Sequence, residues 1–279
     1  GDAVAKLVEG GKASFAGPEI KGKRLGVVGL GAVGVMVAND ARSLGMNVMG
    51  YDPYISVEHA WGLSRQIHRE TSLEMLVAES DYISIHVPLG EKTKKMFDAQ
   101  LLEYAKPGCV IMNFSRSELV CTQAMIDQLQ SGRVGRYVTD FPVDELLDVE
   151  GVIAIPHLGA STPESEENCA AMAAEELNEY LLSGNIHNSV NFPDVVLPRT
   201  SSHRIAMIHA NISNMVGQIT ALLATDKHNI SDMINKSRGE MAYTIIDTDH
   251  DISAELLEKI QSVEGMVRVR CLGREHAAF

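Results

Sequence analysis

The 279-residue sequence has few cysteines, no long apolar run and no excess of basic charge, and each shortage excludes a class of protein. Its four cysteines, Cys109, Cys121, Cys169 and Cys271, stand far apart with no CxxC pair, so neither a disulfide-stapled fold nor a thiolate metal centre is expected. Reduced thiols in the cytoplasm are the expectation. The most apolar stretch, Leu25 to Ala38, is 14 residues long with four glycines; it is too short to span a bilayer, and a signal-peptide leader is not expected before it. Twenty-four basic against 37 acidic residues leave a net charge of −13, which repels phosphate backbones and anionic lipid, so neither nucleic acid nor a membrane surface is an expected partner. The ten histidines fall in no HExxH or paired arrangement, and no metal is expected. The chain opens at Gly1 without Met and is expected to be processed or part of something longer.

What is present suits a globular chain of two domains: 45% hydrophobic and 22% charged residues, over nearly twice the roughly 150 residues of one domain. From Leu25 to His157 short runs rich in Val, Ile and aromatics alternate with amphipathic segments. Val27 to Gly29, Val48 to Tyr51, Tyr82 to Val87, Val110 to Phe114, Tyr137 to Phe141 and Val152 to Ile155 read as buried strands. Gly34 to Leu44, Ser72 to Ala78 and Thr122 to Gln130 read as helices between them, and such alternation builds a doubly wound α/β domain on a parallel sheet. Thr162-Pro163-Glu164 announces a further helix to about Leu182, ended by Gly184-Asn185. The stretch around Pro193 and Pro198 reads as a linker. Beyond it the order strand, helix, strand, strand, helix, strand over 203–279 is the ferredoxin-like βαββαβ unit.

Gly29-Leu30-Gly31-Ala32-Val33-Gly34 is a GxGxxG between the first strand and the first helix. Its glycines suit a tight turn, close approach of backbone to a pyrophosphate, and close packing of helix on strand. Asp52 ends the second strand near the spacing expected of a carboxylate that bonds the adenosine ribose, so a dinucleotide is expected to bind. A carboxylate there repels a 2′-phosphate and Pro53-Tyr54 offers no arginine, which favours NAD over NADP. Arg116, Glu145 and His157 follow later strands at their carboxyl ends, where an open parallel sheet places its ligand. A histidine base, a carboxylate on its other ring nitrogen and an arginine gripping a substrate carboxylate would together serve oxidation of an α-hydroxy acid. By residue type alone the trio reads equally as a salt-bridging arginine, a solvated glutamate and a strand-terminal histidine.

The run from about Ile20 to Pro193 resembles the cofactor domain of the D-isomer-specific 2-hydroxy-acid dehydrogenases, and within them the branch that acts on 3-phosphoglycerate. The resemblance rests on the glycine motif, Gly50-Tyr51-Asp52-Pro53, His86-Val87-Pro88-Leu89 with Thr93, Asn113-Phe114-Ser115-Arg116, Val138-Thr139-Asp140-Phe141 and Pro156-His157-Leu158-Gly159-Ala160-Ser161-Thr162. It implies Arg116, Glu145 and His157 as catalytic residues. It implies NAD contacts from Gly29, Gly31, Ala32, Val33, Gly34, Asp52, Pro53, His86, Val87, Pro88, Thr93, Phe114, Ser115, Arg116, Asp140, His157 and Gly159, with Asp140 on the nicotinamide amide. The tail resembles an ACT domain, a small amino-acid-sensing module, which implies an L-serine effector near His209, Asn211 and Asn229. A homodimer or homotetramer is implied as well. So is a discontinuous substrate lid of roughly 90 to 100 residues, expected to be mostly absent from this chain. The expected division is 1–19 remnant of an interdomain helix, 20–190 NAD-binding Rossmann domain with a crossing helix over 163–183, 191–202 linker, and 203–279 ACT domain. The implied reaction is oxidation of 3-phosphoglycerate to 3-phosphohydroxypyruvate, the first step of L-serine biosynthesis; the alternatives are another D-2-hydroxy acid as substrate, or a non-catalytic NAD- and amino-acid-binding regulator, for which the expected absence of the lid argues.

Overall fold

The structure, a computed structural model, describes residues 2–273, and the chain divides by contact into two units, Gly1–Gly159 and Ala160–Phe279. After helix α1 (Asp2–Gly11), the first unit runs β1 (Arg24–Val28), α2 (Ala32–Ser43), β2 (Asn47–Tyr51), α3 (Val57–Gly62), β3 (His68–Arg69), α4 (Leu73–Glu79) and β4 (Tyr82–Ile85). It continues with α5 (Ala99–Leu102), β5 (Cys109–Asn113), α6 (Thr122–Gln130), β6 (Val134–Thr139) and β7 (Val152–Ala154). The strands form one parallel sheet in the order β3-β2-β1-β4-β5-β6-β7. Successive strand residues face opposite sides, so Val27 joins Val35, Ala38 and Val48 on one face while Val28 joins Leu76, Ile85 and Ile111 on the other. The chain turns from one side of β1 to the other between β3 and β4, and the crevice at the carboxyl ends of β1 and β4 is the topological switch point.

All six strands read from sequence are present, with a seventh added. β3 is two exposed polar residues on the sheet edge and carries no apolar signal. Five strands also end earlier than read: β1 at Val28, β4 at Ile85, β5 at Asn113, β6 at Thr139 and β7 at Ala154. The residues beyond them, among them His86, Phe114, Asp140 and Phe141, leave the ladder and form the rim of the crevice. Apolar composition carried the sequence reading past the last ladder bond.

The second unit opens with α7 (Pro163–Asn178), capped by Thr162, whose side chain accepts from Ser165 N at 3.1 Å, and extended by a wider turn over Glu179–Ser183. Next come β8 (His203–Ala210), α8 (Met215–Thr225), β9 (Ile230–Arg238), β10 (Met241–Thr248), α9 (Ala254–Gln261) and β11 (Met266–Leu272). The sheet is antiparallel in the order β11-β8-β10-β9. Helices α8 and α9 cover the face of Ile205, Met207 and Ile246. The opposite face, with Ala206, Tyr243 and Ile245, is covered by Ile186, Val195 and Leu197.

The connection between α7 and β8 is therefore a packed strap, although 191–202 reads as a plain linker. Ile186 and Val195 exchange backbone hydrogen bonds at 2.8 and 2.9 Å. Arg204 and Asp247 lie wholly buried beneath the strap, Nε to Oδ1 at 2.6 Å and Nη2 to Oδ2 at 2.8 Å. Arg204 also donates to the carbonyls of Ser183, Leu197 and Pro198, and Asp247 accepts from Thr200, so every face of the pair is satisfied. Helix α7 groups with this unit and not with the first. Among the described residues, no helix is long and apolar enough to cross a membrane.

Candidate functional site

The glycine motif occupies the turn from β1 to α2. Gly29 has φ +92°, and a Cβ there would lie 2.6 Å from the His86 carbonyl oxygen, so only glycine makes this turn. Gly34 lies so close to the turn that a Cβ would sit 2.0 Å from Gly29 O. Gly31, the residue before α2, is the opposite case: nothing lies within 4 Å of its Cβ position and no side chain caps the helix. The first-turn N–H groups at Ala32 and Val33, both exposed, are left for an anion at the positive end of the helix.

Asp52 ties the end of β2 to this turn, with Oδ2 accepting from Leu30 N and Oδ1 from Tyr54 N, each at 2.8 Å. A carboxylate has about four acceptor sites, so the two bonds that hold the loop leave capacity for a diol. Pro53 beside it is exposed. His86 follows β4 with Nε2 2.8 Å from Ser84 Oγ, and burial lowers its pKa, which keeps the ring neutral. Val87 packs beside Gly29. Thr93 shapes the next loop, its hydroxyl donating to Pro88 O at 2.6 Å and accepting from Gly90 N at 2.9 Å.

On the other side of the crevice Phe114 is exposed, Ser115 Oγ donates to Ile85 O at 2.8 Å, and Arg116 is exposed with Nη1 donating to Ser115 O at 2.6 Å. The turn is held from beneath by Asn113. Its buried Nδ2 donates to Arg116 O at 2.9 Å and Tyr137 Oη at 3.1 Å, and its Oδ1 accepts from Ser115 N at 3.1 Å.

Arg116, Phe141 and His157 follow the neighbouring strands β5, β6 and β7. The guanidinium carbon of Arg116 stands 5.1 Å from the Phe141 ring centre, and the His157 ring packs on the same phenyl at 4.3 Å. Asp140, one residue earlier, is 8% exposed, and its Oδ1 has no hydrogen-bond partner. An uncapped helix start beside a glycine without near neighbours, a carboxylate with spare acceptor sites and a buried unpartnered carboxylate oxygen suit the phosphate, ribose and amide groups of a dinucleotide.

The third expected catalytic residue is placed differently. Glu145 is exposed on the short turn Asp144–Leu146, and no hydrogen bond joins it to His157. The expected carboxylate–imidazole contact is thus not made in this arrangement, because that turn faces solvent. Gly159 is exposed after His157. Phe141 and Asn113 were not expected as site residues. Asn113 had one signal, a polar residue closing an otherwise apolar strand.

In the second unit His209 is 1% exposed, with Nδ1 2.9 Å from Ala210 O and Nε2 2.8 Å from Thr244 Oγ1. Both nitrogens are engaged and the ring is buried, whereas the other two residues named with it as effector contacts lie at the surface. Asn211 and Asn229 are exposed, the first donating to Gly239 O at 3.1 Å.

Comparison with known proteins agrees with this geometry. The family model for the NAD-binding domain of D-isomer specific 2-hydroxyacid dehydrogenases matches residues 3–159. The D-3-phosphoglycerate dehydrogenase of Escherichia coli K12 is 32% identical over 267 residues, covering 91% of this chain and 64% of that protein. Its counterpart in Haemophilus influenzae is 29% identical over 94% of this chain and 65% of its own length. The chain thus spans a little under two thirds of these relatives. Among solved structures, the D-mandelate dehydrogenase of Rhodotorula graminis superimposes with a TM-score of 0.56 at 28% identity, over 62% of this chain and 52% of that one. The chain belongs to the D-isomer specific 2-hydroxyacid dehydrogenase family, and its first unit is that family's NAD-binding domain.

Proposed function

We propose that the protein oxidises D-3-phosphoglycerate to 3-phosphohydroxypyruvate in the cytoplasm, as the first step of L-serine biosynthesis. The observation that carries this reading is the convergence of Arg116 and His157 on Phe141, beside the buried carboxylate of Asp140. NAD, when bound, supplies the hydride acceptor. The turn Gly29–Gly34 with the α2 N-terminus would hold its pyrophosphate, Asp52 its ribose and Asp140 Oδ1 its amide. His157 takes the hydroxyl proton onto a ring nitrogen as the carbonyl forms. Arg116 grips the substrate carboxylate with paired hydrogen bonds. The Phe141 ring keeps the two side chains a fixed distance apart. Glu145 is the carboxylate that this reading assigns to steadying the imidazolium, a contact that the present arrangement does not make.

The second unit is read as an ACT domain that binds L-serine, supported by its strand order and by exposed Asn211 and Asn229. Pairing along its sheet edges gives a homodimer or homotetramer. The test combines an NADH fluorescence titration with phosphoglycerate-dependent NADH formation. NADH affinity should survive His157→Asn while turnover falls by about 10²- to 10⁴-fold. Absence of NADH binding at millimolar concentration would sink the reading. The likeness to D-mandelate dehydrogenase favours a second one, another D-2-hydroxy acid as substrate, and a comparison of phosphoglycerate with glycerate and mandelate decides between them.

A further inference from the structure

Where α8 ends and β9 begins, the chain meets the end of β10. Thr248 pairs with Ile230, Asp249 N donates to Asn229 O at 3.2 Å, and Asn229 N donates to Asp249 Oδ1 at 3.0 Å. This crossing brings together two histidines 22 positions apart in sequence. The rings of His228 and His250 stack with centres 3.9 Å apart and planes 16° from parallel. One ring nitrogen from each and a carboxylate oxygen of Asp249 lie within 4.8 Å of one another.

The two nitrogens of His228 are not equivalent. Its side chain is 1% exposed, and Nε2 lies 3.2 Å from Asp226 Oδ2. A carboxylate only accepts, so this contact places the proton on Nε2 and leaves Nδ1 as a bare lone pair. Nδ1 is buried and has no hydrogen-bond partner. A buried acceptor with no donor is destabilising, and a cation satisfies it. The Asp226–His228 contact is also the arrangement by which a carboxylate fixes the tautomer of a metal-binding histidine and raises its basicity.

We propose that His228 Nδ1, a ring nitrogen of His250 and a carboxylate oxygen of Asp249 bind a divalent transition-metal ion of the zinc class, oriented through Asp226. Two nitrogens and one oxygen are a borderline donor set, suited to zinc, cobalt or nickel and not to magnesium or calcium, which take oxygen ligands. Three protein ligands leave the fourth tetrahedral position to water. Ligand atoms about 2.0–2.1 Å from zinc lie roughly 3.4 Å from each other, and atoms within 4.8 Å of one another reach that spacing by closing at most about 1.4 Å. Asp249 and His250 are exposed and lie past the last residue of β10, so they supply the movement while His228 stays fixed. The bound ion pins the α8–β9 turn to the end of β10 and stabilises that corner of the sheet.

The test uses the full chain, stripped of metal and titrated with Co²⁺ alone. Visible absorption bands of tetrahedral cobalt should saturate at one ion per chain and be displaced by Zn²⁺. His250→Ala and Asp249→Asn, both exposed positions, should keep the circular dichroism and metal-free melting temperature of the wild type. Each should weaken Co²⁺ binding at least 10-fold and abolish the Zn²⁺-dependent rise in melting temperature. No saturable Co²⁺ signal in the wild type overturns the proposal. So does binding that survives both substitutions, which places the ion elsewhere.

Discussion

The contrast between Gly31 and Gly34 allows the dinucleotide site to be tested without confusing binding with folding. Gly31 has φ −74° and ψ −166°, a conformation open to any L residue, and an added methyl meets nothing within 4 Å. Alanine at a helix N-cap typically costs about 1 kcal/mol, and the stiffer unfolded chain offsets about 0.4–1 kcal/mol of that. Gly31→Ala should therefore melt close to the wild type. On the proposed assignment, the same methyl fills the space where the backbone would meet the pyrophosphate. Loss of one charge-assisted hydrogen bond, about 1.5–3 kcal/mol, weakens NADH binding roughly 10- to 150-fold at about 1.4 kcal/mol per tenfold. At Gly34 the Cβ would lie 2.0 Å from Gly29 O, where ordinary contact begins near 3.4 Å, so α2 must move about 1.4 Å. Overpacking of that kind costs about 1–3 kcal/mol, and Gly34→Ala should lose both stability and affinity. Thermal unfolding and NADH fluorescence titration on the two variants read both quantities. Wild-type NADH affinity in Gly31→Ala would refute the assignment of this turn to the pyrophosphate.

Further expectations concern buried polar groups. Asp247→Asn leaves the Arg204 charge buried and unpaired and should cost about 3–5 kcal/mol, read by urea unfolding of the second unit. Burial alone would raise the Asp247 carboxyl, but hydrogen bonds from Arg204 and Thr200 outweigh it and hold the carboxyl below its ordinary value of 3.8. The stabilisation is therefore complete above 3.8 and is lost as pH falls through the lower folded-state value; acid titration of the wild type, with Asp247→Asn lacking this component, checks the sign. Asn113→Ala removes the bonds to Arg116 O, Tyr137 Oη and Ser115 N; Arg116 O keeps Leu119 N and Tyr137 Oη keeps Thr139, so the loss should be about 0.5–1.5 kcal/mol per bond, measurable as a lower melting temperature. Burial pushes the Cys109 thiol up to about 12, so Cys109 should stay silent to a thiol reagent at pH 8 until the chain unfolds.

Legibility in the sequence followed the range over which each signal acts. Strands β1, β2, β4, β5, β6 and β7 and the glycine turn are written in contiguous residues and were read directly. β3 was not, because two polar edge residues bury nothing. Arg116 and His157 were legible from their positions after strands. The phenyl ring between them was not, because Phe141 reads as ordinary strand apolar content. The Arg204–Asp247 pair is 43 positions apart, and nothing local marks it, so the strap it anchors reads as a linker. The His228–His250 stack is hidden for the same reason, since ladder register and not spacing creates it.

Arg204 gathers five hydrogen bonds into one planar group, and three of them go to carbonyls at the two ends of the strap. Ser183 closes the helical run that begins at Pro163, so the guanidinium rivets the root of α7 to the centre of an antiparallel sheet. Helix α7 is then a lever. Its 16 residues span about 24 Å at 1.5 Å each. A tilt of β8 by about 5° carries the far end of a rod that long through about 2 Å, whereas a slack tether would absorb the same tilt without passing it on.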